Sequence, residues 1–178
     1  MNPPAPRLFF ALWPDTDLAH TLDAGWIAPA HAHCGGRRMR PDTLHLTLAF
    51  LGAVDPAHLE PLAALTRGLR VQPGEIRLSQ YGRFDRAAVV WAGPESADTG
   101  LSVLHDGLWH ALAPWGWTAP AQPFRPHVTL LRDTRETPPP PPAPLVWRYD
   151  RCVLVRSEPG GGARYHVVAQ SAAPDAAA

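Results

Sequence analysis

Two short phrases in the chain carry histidine and threonine at the same spacing. They are Leu44-His45-Leu46-Thr47-Leu48 and, 82 residues later, Pro126-His127-Val128-Thr129-Leu130. Each has the form His-x-Thr-Leu inside an apolar run that alternates as a strand does. In a strand, side chains i and i+2 share a face, roughly 7 Å apart along the chain. Each phrase therefore presents one imidazole and one hydroxyl on the same side. A single copy carries little weight, because a half-buried strand histidine is ordinarily a hydrogen-bonded packing residue; the pairing carries the signal. With an unperturbed imidazole pKa near ~6.5, one ring can be neutral at neutral pH while its neighbour is protonated. Such a pair removes a proton from an attacking water and gives one to a leaving alkoxide. The hydroxyls of Thr47 and Thr129 donate hydrogen bonds to anionic oxygens held between the rings. A phosphoryl centre suits this set, being tetrahedral and anionic with its attacking and leaving oxygens on opposite sides.

Composition narrows the chemistry. All 16 basic residues of the 178-residue chain are arginines, so a phosphate-loop lysine, a Schiff-base lysine and a nucleotidylated lysine are excluded. No His-Glu-x-x-His or aspartate-rich motif supports a two-metal site. A substrate that reacts without a metal is required, and a strained five-membered cyclic phosphate is the natural candidate. Arg132, five residues past His127, offers a guanidinium to the same phosphate or a plane to stack on a base. Strict alternation would put it on the face opposite His127, so it reaches the site only if the strand ends or bulges near Leu131. Net charge is zero, and no general field advertises nucleic acid or membrane.

The surrounding elements must hold the two phrases together. Arg7–Trp13 reads as a buried first strand, followed by a helix capped by Asp15 or Thr16 with Leu18, Leu22 and Trp26 inward. Residues 29–42 read as a Pro/Gly/Arg-rich connection. The first motif strand spans roughly 43–51, and Asp55-Pro56 starts a helix with Leu59, Leu62, Leu65 and Leu69 on its apolar face. Strands near 75–80 and 87–92, a helix near 99–113 and the second motif strand near 126–132 follow. Pro138 to Pro142 form an extended spacer. Final strands near 150–156 and 164–170 flank the turn Gly160–Gly162, and Ser171–Ala178 reads as a frayed tail. The pattern is α+β: one domain over 1–170, with two sheet-and-helix lobes facing each other and one motif in each.

These residues carry a resemblance over 7–169 to the two-histidine (2H) phosphoesterases, specifically the bacterial and archaeal RNA 2′,3′-cyclic phosphodiesterases, also named RNA 2′,5′-ligases. It rests on Arg7-Leu-Phe-Phe-Ala-Leu12, Leu44-His-Leu-Thr-Leu-Ala-Phe-Leu-Gly52, Val89-Val-Trp91 and Pro123-Phe-Arg-Pro-His-Val-Thr-Leu-Leu-Arg132. Leu154-Val-Arg-Ser157 and Arg164-Tyr165 add to it. The resemblance implies a bilobal, pseudo-two-fold α+β fold of two antiparallel-rich sheets, helices outside and a central cleft. It implies metal-independent hydrolysis of RNA 2′,3′-cyclic phosphate ends, or small cyclic nucleotides, to 2′-phosphates. In this reading His45 is the proton donor to O3′, His127 the proton acceptor, and Thr47, Thr129 and Arg132 bind the phosphate. Reversal would join a cyclic end to a 5′-hydroxyl as a 2′,5′ bond without ATP. A monomer without cofactor or metal is expected; two cysteines that form no framework make the cytoplasm the natural setting, and no apolar run approaches the ~20 residues that span a bilayer.

Other features read differently. Cys34 and Cys152 make neither a disulfide framework nor a zinc site, and the start lacks a secretory signal pattern. His31-Ala-His33-Cys34 imitates a metal clutch, but three donors in four residues cannot easily surround one ion. His20, His58, His105, His110 and His166 read as surface or packing residues. Phe9, Phe10 and Trp13 read mainly as core, with a base-stacking ring as the alternative. Arg37, Arg38 and Arg40 are either an RNA guide or solvated loop charge. Two other functions compete: a nucleotide-binding module without turnover, and a cyclic phosphodiesterase for another small nucleotide such as an ADP-ribose cyclic phosphate.

Overall fold

Side-chain alternation along the first strand, β1 (Arg7–Leu12), already divides the molecule in two. Leu8, Phe10 and Leu12 enter a large core, whereas Phe9 and Ala11 join Val153 and Val155 in a smaller cluster on the opposite face. In the computed structural model, which describes residues 5–158 and 164–174, helices cover the first face and the second lines a cleft. The turn expected at Gly160–Gly162 and the end of the tail, 175–178, lie outside the described residues.

After β1 come α1 (Thr16–Leu22), a π-helical turn (Asp23–Ile27) and α2 (Ala28–Cys34). Asp15 caps α1 by accepting from the Leu18 amide at 2.8 Å. The connection expected over 29–42 is thus helical as far as Cys34. Pro29 cannot donate to the carbonyl four residues back, and the widened turn before it absorbs that loss. Tyr81 donates its hydroxyl to the Trp26 carbonyl in this turn at 2.6 Å. Next are β2 (Arg37–Arg38), β3 (Leu46–Ala53), α3 (Leu59–Gly68), β4 (Gly74–Leu78), β5 (Gln80–Phe84) and β6 (Val89–Gly93). The chain continues through α4 (Thr99–Leu112), β7 (Val128–Arg132), β8 (Leu145–Tyr149), β9 (Val153–Glu158) and β10 (Arg164–Gln170). Ser171 remains anchored beyond β10: its amide donates to the Cys152 carbonyl at 2.9 Å and its hydroxyl accepts from the Cys152 amide at 3.1 Å.

One antiparallel sheet runs β10-β9-β1-β3-β7-β6-β5, with β2 also paired to β7, and β4 with β8 forms a second sheet. The expected bilobal α+β architecture is present. Its halves join at one pair, Leu46 opposite Val128, where β3 meets β7.

The halves match register for register. On one side Leu12 pairs with Leu46, Ala11 with Thr47 and Phe10 with Ala49. On the other Ala92 pairs with Val128, Trp91 with Thr129 and Val90 with Leu131. In both, the motif leucine (Leu48 or Leu130) is the extra residue of a β-bulge, which flips the alternation after it.

β5 carries Gly82 opposite Trp91 for a steric reason: a Cβ at Gly82 would lie 2.0 Å from Trp91 Cζ2. Gly82→Ala is expected to destabilise the protein by about 1–3 kcal/mol, as over-packing does. A second change, Trp91→Leu, should restore part of that loss. Urea unfolding of the two variants checks this, and a Gly82→Ala protein as stable as wild type would refute it.

Candidate active site

The junction of β3 and β7 arranges the four motif side chains. Leu46 and Val128 are both fully buried toward the core, so His45, Thr47, His127 and Thr129 turn to the cleft face, each half-buried. In the antiparallel register of that pair, His45 lies opposite Thr129 and Thr47 opposite His127. Two imidazoles and two hydroxyls thus alternate around one point. This is the set of groups that the sequence brought forward, gathered in one place.

Each imidazole is tied back in the same way. His45 Nδ1 lies 2.7 Å from the Thr43 carbonyl oxygen, and His127 Nδ1 lies 2.9 Å from that of Arg125. A carbonyl only accepts, so each Nδ1 carries its hydrogen and each Nε2 is left to exchange protons. Thr43 is fixed in turn by donating its hydroxyl to the Arg40 carbonyl at 2.8 Å.

Aromatic rings hold both histidines, unequally. Trp13 stacks on His45 with centroids 5.1 Å apart and planes 9° from parallel, while Phe9 lies at 4.9 Å and Tyr165 meets it edge-on at 5.2 Å. His127 meets Phe84 edge-on at 4.9 Å and lies 6.0 Å from Trp91. Phe9 and Trp13 therefore do more than fill core: their faces are spent on an imidazole. Burial pushes His45 down to about 4, opposed by its bond to Thr43 and reinforced by the charges of His127 and Arg132. His127 is lowered too, by burial first and then by Arg125 and Arg132 against its bond to Arg125. In the free protein both rings are thus neutral at neutral pH.

The β7 bulge decides where Arg132 points. Leu131 pairs with Val90 and is buried in the core, so the flipped alternation returns Arg132 to the face of His127. A Gly35-Gly36 turn brings β2 alongside, with Arg37 opposite Arg132. Gly36 adopts φ +83° and a Cβ there would lie 2.5 Å from the Arg132 carbonyl oxygen, so only glycine permits this approach. The matching bulge in β3 places Phe50, five residues past His45, on the same face; it is 52% exposed, with the Arg7 guanidinium 5.5 Å from its centroid. Sequence reasoning overlooked Phe50, Tyr165, Phe84 and Arg125. The first could have been found by applying to the first motif the offset that singled out Arg132.

The remaining candidates lie elsewhere. His31 Nε2 bonds the Gly36 carbonyl at 3.2 Å, while Cys34 is buried and donates to Thr137 O at 3.4 Å. His105 accepts from Trp109 Nε1 at 3.1 Å and stacks on Phe124, and His166 lies 3.1 Å from Glu158. Arg37, Arg38 and Arg40 lie within salt-bridge distance of Asp133, Asp23 and Asp42, which offsets their charge locally.

A pseudo-symmetric α+β cleft with a His-x-Thr pair from each half defines the class of two-histidine phosphoesterases. A family model described as the 2′-5′ RNA ligase superfamily matches residues 14–158, and the chain belongs to that family. It is 37% identical over 144 residues to the RNA 2′,3′-cyclic phosphodiesterase of Escherichia coli strain K12, covering 80% of this chain and 81% of that protein. The Thermus thermophilus protein of the same name is 32% identical over 168 residues, covering 85% and 82%. The crystal structure of E. coli LigT complexed with 3′-AMP superposes with a TM-score of 0.82 at 32% identity, covering 98% of this chain and all of that one. Among the described residues no helix is long and apolar enough to cross a membrane.

Burial is the main cause that holds both imidazoles down and the Arg132 charge adds to it, so Arg132→Gln is expected to raise both pKa values slightly in the free protein. NMR titration of the histidine side chains tests this. Unchanged or lower values would show that the guanidinium does not face the cleft.

Proposed function

We propose that the protein hydrolyses RNA 2′,3′-cyclic phosphate ends to 2′-phosphates by acid–base catalysis between His45 and His127, without metal or cofactor. The quartet around Leu46 and Val128 carries this reading, and the names borne by its relatives support it. With the phosphorus between the rings, His127 Nε2 takes a proton from water as its oxygen bonds phosphorus. The P–O3′ bond breaks on the opposite side, and His45 Nε2 delivers a proton to O3′. Thr47, Thr129 and Arg132 hold the non-bridging oxygens, where negative charge builds.

The lower pKa of His45 favours it as the donor, since the ring pushed down to about 4 is the more acidic of the two once it is charged. A cation against an aromatic face is stabilised by about 0.5–2 kcal/mol, so the Trp13 face helps His45 hold its proton. The substrate supplies the rest: a phosphodiester anion between the rings offsets the positive charge that lowers both. The cleft is complete within one chain, which is consistent with a monomer. Both cysteines are free and buried, which suits the reducing cytoplasm.

His45→Ala and His127→Ala are each expected to reduce kcat/KM on a nucleoside 2′,3′-cyclic phosphate by about 10²–10⁴-fold, the worth of one acid–base group. Their melting curves should stay close to wild type. Chromatography should identify the product as the 2′-phosphate. Full activity in either variant would refute the assignment, and tight nucleotide binding with no product would instead mark a module without turnover.

The pH profile follows from the two lowered histidines. kcat/KM reports the free protein, in which His127 must be neutral and His45 protonated. Activity falls at low pH as His127 gains its proton, and at higher pH as His45 loses the one it holds. kcat/KM should therefore peak on the acid side of 6.5, the ordinary imidazole value. In the complex the bound anion favours both protonated rings, so the kcat optimum should lie at higher pH. Coincident optima, or a kcat/KM peak above neutrality, would contradict this.

A further inference from the structure

The two motif histidines lean on carbonyls that are secured in unlike ways. In the first half the Thr43 carbonyl sits in a short turn, where the Thr43 amide and hydroxyl both donate to the Arg40 carbonyl, at 2.9 and 2.8 Å. In the second half the Arg125 carbonyl, which accepts from His127 Nδ1 at 2.9 Å, stands in a run, 118–127, that belongs to neither helix nor strand. Pro120, Pro123 and Pro126 in that run have no amide hydrogen to donate, which leaves more of its anchoring to side chains. Arg125 is exposed, whereas its neighbours Phe124 and Pro126 are half-buried and buried.

Phe124 is held from α4. Its ring lies against the imidazole of His105, with centroids 3.9 Å apart and planes 14° from parallel. That imidazole is itself fixed in its plane by two hydrogen bonds. Trp109, one helical turn on and buried in the main core, donates its indole Nε1 to His105 Nε2 at 3.1 Å. An indole N–H only donates, so Nε2 is the unprotonated nitrogen. Nδ1 therefore carries the hydrogen and donates to Asp106 Oδ1 at 2.8 Å. With both nitrogens engaged, His105 offers Phe124 a flat face whose orientation is set by the helix.

We propose that His105 is a positioning residue for His127: through its stack on Phe124 it sets the Arg125 carbonyl, which keeps the hydrogen of His127 on Nδ1 and leaves Nε2 to take a proton from the attacking oxygen. The role rests on the reading above, in which His127 is the proton acceptor. Contact passes from the His105 ring to the Phe124 ring, along the backbone to Arg125, and from its carbonyl to His127 Nδ1. Without the stack the carbonyl can swing away from Nδ1, and a neutral imidazole then shares its hydrogen between both nitrogens. A ring with hydrogen on Nε2 cannot serve as a base toward the cleft. Small displacements are costly here, since a misplacement of about 1 Å can cost about 10²-fold in rate. The same carbonyl opposes the lowering of the His127 pKa by burial, so its loss lowers that value further. The charges of Arg125 and Arg132, which lower it too, are present whatever residue stands at 105.

Two substitutions at one position separate the stack from the packing around it. His105→Gln keeps an acceptor for Trp109 and removes the ring, whereas His105→Phe keeps a ring and leaves the buried Trp109 donor unpaired. On a nucleoside 2′,3′-cyclic phosphate, His105→Gln should lower kcat about tenfold with KM within about twofold, because the loss falls on the transition state. The acid limb of its kcat/KM profile should move to lower pH. Nitrogen NMR should show the same fall in the His127 pKa, with hydrogen now partly on Nε2. His105→Phe should restore kcat to within about twofold of wild type, together with the acid limb and the tautomer, while its melting temperature falls further than that of His105→Gln. Unchanged kcat, acid limb and tautomer in His105→Gln would overturn the proposal. So would a His105→Phe protein that loses as much kcat as His105→Gln. A wild type that opens no cyclic phosphate would sink the hydrolytic reading instead, and the His127 tautomer in the two variants would then decide the positioning role by itself.

Discussion

Everything in the cleft depends on the pairing of Leu46 with Val128. Because both side chains are buried, the neighbours on either side of each are forced to the opposite face, and the antiparallel register sets each histidine against the other strand's threonine. A slip of one residue in either strand would send one His–Thr pair into the core and expose a leucine or valine in its place. Burial of two apolar side chains therefore enforces the geometry of four polar ones. The constraint is strong because the buried face is continuous with the main core beneath α1, α2, α3 and α4.

The leucine closing each motif contributes just as much, by interrupting the strand. Leu48 and Leu130 are each the extra residue of a bulge, so the fourth position after each histidine turns to the core and the fifth turns back to the cleft. Identical backbone devices thus deliver unlike side chains: Phe50 in one half and Arg132 in the other. The pseudo-two-fold axis holds for the backbone, the histidines and the threonines, and is broken at this offset. A cleft with a cation on one side and an aromatic ring on the other distinguishes two directions for a substrate that the motif pair alone would treat alike.

Much of this was legible in the sequence for physical reasons. The motif strands, the Asp55-Pro56 helix start and the helix at 99–112 follow from periodicity and caps, which are local. The overlooked elements answer to distant partners. β5 is an edge strand with little alternation, held by Gly82 accommodating Trp91, and β8 forms because β4 lies alongside it. The run after Pro29 continues as helix because the π turn absorbs the proline and Tyr81, 55 residues from Trp26, satisfies a carbonyl there. In the site, residue types identified His45, Thr47, His127 and Thr129 as a set. The cleft position of Arg132 depended on a bulge whose possibility was visible but whose presence was not. Arg125 and Tyr165 stand in segments that carried the resemblance, but their contact with the histidines comes only from the folded chain.

Electrostatics completes the logic of the cleft. Two imidazoles and a guanidinium converge on a half-buried space, so adding a proton to either ring meets both a desolvation cost and like charge. The free protein resolves this by leaving both rings neutral, a state that can accept a proton but holds none to give. A phosphodiester supplies the one negative charge that makes a protonated ring stable there, so the acid is assembled by the substrate it serves. The packing around the two rings also differs: the Trp13 face lies flat on His45, whereas Phe84 meets His127 at 85°. An asymmetry of aromatic packing thus makes the two ends of the site unlike, where its repeated motif alone leaves them nearly symmetric.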